Sequence, residues 1–170
     1  QATIAGQILL NGIDISTLSD GDWRKLRGTQ ISMIFQNPSA YLNPNRTVEN
    51  HFKDLFRAHG ESYDASRVID MLNLVHLDGG ERILQSYPFQ LSGGMQQRLA
   101  IALSLILKPT IVFADEPTSA LDILVQASVL DLLREVTQAL GATVIIVTHN
   151  IKAAARIAHS IGVMNKGQLV

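Results

Sequence analysis

The chain has 170 residues, 46% of them hydrophobic and 17% charged, with a formal net charge of −1 and no cysteine. That is enough apolar material for one sizeable core and length for a single domain. The balance of charge offers no basic footprint for nucleic acid, and the lack of cysteine excludes a disulfide framework or a thiolate metal site. No apolar run approaches the roughly 20 residues that cross a bilayer, and Gln1 does not open a signal-peptide pattern. Any membrane contact is therefore expected through other subunits. A charged fraction below the ordinary ~25% leaves part of the surface for a partner.

In chain order, Ile4 to Leu10 reads as a strand that ends in the Asn11-Gly12 turn, a strong short hairpin signal. Ser19 and Asp20 cap a short polar helix running through Trp23 to Arg27. Gln30 to Phe35 is an apolar strand that leaves Gln36 at its end. Pro38 and Pro44 stiffen the following loop and forbid helix there. Thr47 caps a helix with Val48, Phe52, Leu55 and Phe56 on one face, and Asp64 starts another showing Val68, Met71, Leu72 and Val75. His51, His59 and His76 have no ligand-type spacing and read as ordinary surface or boundary histidines.

The stretch Leu91-Ser92-Gly93-Gly94-Met95-Gln96-Gln97-Arg98 reads as a helix start. A helix N-terminus has unpartnered N–H groups and partial positive charge, so it accepts an anion. Ser92 can cap it, and Gly93 and Gly94 lack the Cβ that would hold a phosphate off the backbone. Leu99, Ala102, Leu103 and Ile106 form the apolar face of this helix, which Lys108-Pro109 ends. The runs Ile111 to Ala114 and Thr143 to Val147 are short, β-branched and without alternation, as expected of parallel strands buried on both faces. A helix from Asp122 to about Ala139, carrying Val125, Val129, Leu132 and Val136, joins them. The first strand delivers Asp115 and Glu116 to its C-terminal edge, where one carboxylate can serve a magnesium ion and the other an attacking water. His149 directly follows the second strand, Asn150 can cap the next helix, and Gly162 to Val170 forms a last hairpin-like pair. Ser-Gly-Gly alone is also an ordinary cap, and Asp-Glu alone an ordinary strand end. Together, on a parallel α/β layout, they indicate nucleotide hydrolysis.

These motifs carry a resemblance. LSGGMQQR resembles the signature motif of ATP-binding-cassette (ABC) ATPases, and IVFADEP is similar to their Walker B strand. Ser119-Ala120-Leu121-Asp122 resembles their D-loop, Gln36 their Q-loop glutamine and His149 their switch histidine, all in the family's order. The resemblance implies a P-loop NTPase-like α/β cassette with an antiparallel β edge and a helical subdomain at about 47–107. It implies ATP and Mg2+, with Asp115 and Gln36 at the metal, Glu116 polarising the water and His149 contacting the γ-phosphate. Ser92, Gly93, Gly94 and Gln97 belong to the stretch that would act on ATP held by a second cassette, with Asp122 bridging the pair. Phe35-Gln36-Asn37-Pro38, Tyr41-Leu42-Asn43-Pro44 and the run from Asp115 through Asp122 into Val125-Gln126-Ala127 look most like ATPase subunits of dipeptide, oligopeptide and nickel importers. By that likeness the partners are transmembrane permease subunits, a second ATPase subunit and, indirectly, a substrate-binding protein. No nucleic acid is expected, and the place of work is the cytoplasmic face of the cell membrane.

One departure stands out. The family's Gly-x-x-x-x-Gly-Lys-Ser/Thr loop, which holds the β- and γ-phosphates, is absent from the sequence; Gly6 to Gly12 misses the spacing by one residue and has no lysine. The sequence thus reads as a cassette incomplete at its N-terminal side, ending before the extension such subunits often carry. The 170 residues alone are expected to hydrolyse little ATP. Asn150 stands in place of the usual aspartate, and Phe89 where such importers often have histidine. Two other readings stay open at this point: a soluble ABC ATPase of translation or DNA repair, and a non-catalytic truncated cassette.

Overall fold

The structure, a computed structural model, describes residues 5–170 apart from the side chain of Leu124. Ile4, the expected start of the first strand, lies outside the described residues. Strand β1 is confined to Leu9–Leu10 and pairs antiparallel with β2, Ile13–Asp14. Asn11 and Gly12 turn between them at φ 49° and 82°, the left-handed pair that a two-residue hairpin needs. Asp14 stops the ladder, because its Oδ1 accepts from Ser16 N–H at 3.0 Å and starts a short 3-10 turn. Helix α1, Asp20–Leu26, begins as expected on the Ser19 hydroxyl, which accepts from Asp22 N–H.

Strand β3, Ile31–Ile34, leads to a 3-10 turn at Pro38–Ala40. This corrects the expectation that proline forbids helix in the loop. At the first helical position its missing N–H is one that no helix would satisfy, and the Asn37 side chain caps the turn by accepting from Ser39 N–H. Four helices follow: α2 at Val48–Ala58, α3 at Ala65–Leu74, α4 at Glu81–Gln85 and α5 at Gly93–Leu105. The Thr47 and Asp64 caps form, and Val48, Phe52, Phe56, Val68, Met71 and Leu72 are buried as their spacing indicates. His51 is structural: its Nδ1 meets Thr47 O at 2.8 Å and its Nε2 accepts Asn43 N–H at 3.0 Å, closing the loop onto α2.

The outline then runs through β4 (Ile111–Asp115), α6 (Ile123–Leu140), β5 (Thr143–Val147), α7 (Ile151–Ile157) and a terminal hairpin of β6 (Met164–Asn165) and β7 (Gln168–Leu169). Strands β3, β4 and β5 form one parallel sheet in that order, with Ile34 beside Ala114 and Asp115 beside Val147. Parallel register brings the C-terminal ends of all three to one edge.

One expectation about burial is corrected. Helix α5 has no single apolar face: Gln97, Leu99, Ala100, Ile101, Ala102 and Leu105 are all buried, because its neighbours lie on several sides. The sheet is covered on only one face among the described residues. Ile34, Val112 and Ala114 join Leu99, Ile101, Val129 and Leu132 in the core, whereas Met33, Phe113, Ile145 and Val147 alternate with them and stay exposed.

The end of α5 is held by Arg67. Its guanidinium lies 5.0 Å from the Phe56 ring centre, donates to Ile106 O at 2.5 Å and pairs with Glu61 at 2.7 Å. We expect Arg67→Ala to cost about 1–2 kcal/mol in urea unfolding of the full-length protein, from the orphaned carbonyl and the lost packing. Glu61→Ala should change the midpoint little, since the ion pair is partly exposed. Equal losses for the two variants would assign the stability to the ion pair instead.

Candidate functional site

Glu116 follows β4 with its φ at 45°, a left-handed conformation that a non-glycine residue holds only when its surroundings impose it. Here its N–H donates to Val147 O at 2.9 Å, continuing the tie between β4 and β5 one residue past the strand. The turn sends its carboxylate across to the β5–α7 connection. Oε1 accepts both the backbone N–H of His149, at 2.9 Å, and the His149 ring at Nδ1, at 2.5 Å. Because a carboxylate only accepts, Nδ1 carries the proton, and Nε2 faces outward from a side chain that is 81% exposed. Oε2 takes only a long contact, 3.5 Å, from the Thr148 hydroxyl. It is the oxygen left for a water.

The connection that presents His149 is built from its own short polar side chains. Thr148 Oγ1 accepts Asn150 N–H at 3.0 Å, and Asn150 Oδ1 accepts from Lys152 and Ala153 N–H to cap α7. Asn150 thus does the capping that aspartate would. At the same edge, Asp115 is half-buried at the end of β4, with no hydrogen bond to its carboxylate among the described residues. Gln36 is exposed, two residues past the end of β3.

The helix start forms a second cluster. Ser92 accepts Met95 N–H at 3.3 Å as the cap of α5, and Asp122 accepts Val125 N–H at 3.0 Å as the cap of α6. The two starts touch: a Cβ on Gly93 would lie 3.6 Å from Leu121, and one on Gly94 only 3.0 Å from Val125 Cγ1. Gln97 sits beneath, 1% exposed, with its Nε2 unpartnered, so within this chain it is not presented to a ligand. Phe89, stacked on Tyr87 at 5.5 Å, is exposed just before the helix. Glu116, Thr148 and His149 are joined, as are Ser92–Gly94, Leu121 and Asp122. Among the described residues no hydrogen bond links the first group to the second. Thr148 was not singled out from sequence, though a threonine between a buried strand and a helix is a recognisable turn signal. Val125 reads from sequence as a core position and as part of the run resembling importer ATPases, with no contact to the signature stretch implied.

Burial pushes the Glu116 carboxyl up, but the His149 ring and backbone and the Thr148 hydroxyl together hold it below its ordinary value. A depressed folded value means that the stabilisation is complete above the usual carboxylate range and fades as pH falls through the lowered value. We expect His149→Ala to raise the Glu116 titration toward normal, read by carbon-13 NMR of the side-chain carboxyl. An unchanged titration would remove the histidine ring as the cause.

The parallel sheet with its carboxylate-bearing edge, and α5 packed against β3 and α6, has an α/β architecture of the P-loop-NTPase-like kind, which it shares with solved ATP-binding cassettes. The chain belongs to the ABC transporter family, whose model matches residues 1–119. It is 43% identical over 98% of its length to a dipeptide transport ATP-binding protein of Caldanaerobacter subterraneus, covering 52% of that protein. It is 37% identical over its whole length to an oligopeptide transport ATP-binding protein of Lactococcus lactis, covering 51%. The chain thus spans about half the length of these curated relatives. Among solved structures it resembles a dimeric ATP-binding cassette in a post-hydrolysis state with ADP and Pi (TM-score 0.72, 32% identity, 88% of this chain and 65% of that one). It also resembles CbiO1 of Clostridium perfringens, part of an ABC transporter complex (TM-score 0.79, 28% identity, 98% and 64%).

Proposed function

We propose that the full-length protein is the ATP-hydrolysing subunit of an ABC importer for peptides, working as one of two cassettes beneath transmembrane permease subunits. The single observation that carries the chemistry is the Glu116 carboxylate at the sheet edge, with one oxygen tied to His149 and the other holding only the long Thr148 contact. Glu116 Oε2 orients and polarises the attacking water, and His149 Nε2 faces outward to meet the γ-phosphate and the charge that develops there. The Nδ1 bond fixes the ring's orientation and tautomer. Ser92, Gly93 and Gly94 present their amides to the ATP of the opposite cassette, and Asp122 lies at that junction.

The donor set fits magnesium on its chemistry. Among the described residues no three His, Cys, Asp or Glu side chains converge into a metal cage. Mg2+ keeps several waters and takes one or two carboxylates beside substrate phosphates, which is what a free Asp115 with Gln36 would offer. The ion would neutralise charge on the phosphates. Residues 47–107, holding α2 to α5, are the helical part that would face the permease.

The names of the relatives support a peptide as cargo. No described helix is long and apolar enough to cross a membrane. The importer reading itself puts the protein against the cytoplasmic face, attached through the permease. Full-length protein expressed with its chromosomal neighbours should hydrolyse ATP in a Mg2+-dependent manner and purify from membranes with permease subunits. ATPase activity that fractionates with ribosomes, with no membrane partner, would overturn the importer reading. No ATP binding by the full-length protein would overturn the catalytic one.

A further inference from the structure

The bareness of Gly94 has two possible sources, a ligand that approaches the backbone or a neighbour that leaves no room. Glycine is a poorer helix former than alanine, so two of them in the first turn of α5 need a reason. On this chain the reason is visible. A Cβ on Gly94 would stand 3.0 Å from Val125 Cγ1, closer than ordinary van der Waals contact. One turn deeper the same two helices are tied again, where Arg98 donates to Ser128 Oγ at 3.1 Å while its other nitrogen donates to Val75 O at 3.2 Å. Val125 also gives its backbone N–H to Asp122 Oδ1, so one residue touches both the start of α5 and the cap of α6.

We propose that Val125 is a positioning residue, whose side chain against Gly94 and whose amide on Asp122 set the spacing between the Ser92–Gly94 helix start and Asp122, so that both are presented to the partner cassette as one body. The inference rests on the proposed function for its consequence, and on the α5–α6 contact for its geometry. A Cβ on Gly94 would force Val125 to give by a few tenths of an ångström, and the placement of such groups is a strong determinant of rate. Arg98 and Ser128 hold the lower end of the seam, so a change at Val125 is taken up at the upper end, where Ser92 and Asp122 lie.

The test uses the full-length protein assembled with its partners and reads kcat and KM for ATP with the melting temperature. Gly94→Ala should lower kcat on the order of tenfold or more. Adding Val125→Ala in the same molecule removes Cγ1 and should restore kcat to within about threefold of wild type. If the double variant folds as stably as wild type yet stays as slow as Gly94→Ala, glycine is needed for the ligand alone and the proposal fails. Val125→Leu approaches the seam from the other side without touching the signature stretch. It should lower kcat at little change in KM, and a wild-type kcat would overturn the proposal even if Gly94→Ala does not fold. A wild-type protein that does not hydrolyse ATP would instead refute the proposed function and leave the contact between Gly94 and Val125 as pure packing.

Discussion

Glu116→Gln in the full-length protein should bind ATP normally and lose on the order of 10²- to 10⁴-fold in turnover. The substitution is unusually clean at this position. Glutamine has the same length, tolerates the φ of 45° as well as glutamate does, and keeps the N–H bond to Val147 O that fixes the turn. Its amide oxygen can still accept from His149. What disappears is the negative charge and the basic lone pair of Oε2, the oxygen left with only the distant Thr148 contact. Equilibrium ATP binding together with single-turnover hydrolysis separates the two effects. Normal hydrolysis by the variant would show that water is activated by some other group. Loss of ATP binding would show that Glu116 shapes the phosphate site rather than the water. Because the carboxylate is held ionised, turnover of the unmodified protein should also be retained well into mild acid, as far as this group governs it.

How much of that arrangement is written in the sequence can be traced residue by residue. Caps were legible, because Ser19, Thr47, Asp64, Ser92, Asp122 and Asn150 each satisfy orphan N–H groups by a rule that needs only local spacing. The parallel sheet and its carboxylate edge were legible too, since short β-branched runs separated by a long helix leave few alternatives. The α5 surroundings were not. Periodicity marks one face when polar residues cover the other, and the small alanines and a buried Gln97 erase that contrast. Strand β5 is apolar from Val144 to Val147, which implies two covered faces, and among the described residues the Ile145 and Val147 side is open. The bond between Glu116 and His149 joins residues 33 apart in the chain and depends on a left-handed turn at a glutamate, for which no local propensity speaks. The resemblance to ABC ATPases supplied both residues, but not the way they meet.

The largest expected loss of stability comes from Leu99→Ala, about 2–5 kcal/mol. Leu99 is fully buried, on a helix enclosed on several sides, so the surroundings cannot easily collapse into the space of the missing carbons. It belongs to one continuous core with Phe52 and Val68 of α2 and α3, Ile34 of β3 and Leu132 of α6, and α5 packs against all four of those elements. A cavity there loosens the attachment of α5 to the rest of the molecule. Leu103, four residues on and only half-buried, is the internal comparison, and Leu103→Ala should cost less than half as much because part of its surface already meets water. Urea unfolding of the two variants, with unchanged slopes, would measure this directly. Equal costs would mean that α5 is not anchored as the burial pattern indicates. In native-state hydrogen exchange, protection should fall along α5 in Leu99→Ala while the amides of Glu116 and His149 keep theirs, since those are tied through Val147 and the Glu116 carboxylate. If protection fell equally at both places, the helix start and the carboxylate edge would be opening as one unit. The signature stretch could then not be repositioned without disturbing Glu116 and His149, the residues proposed to handle water.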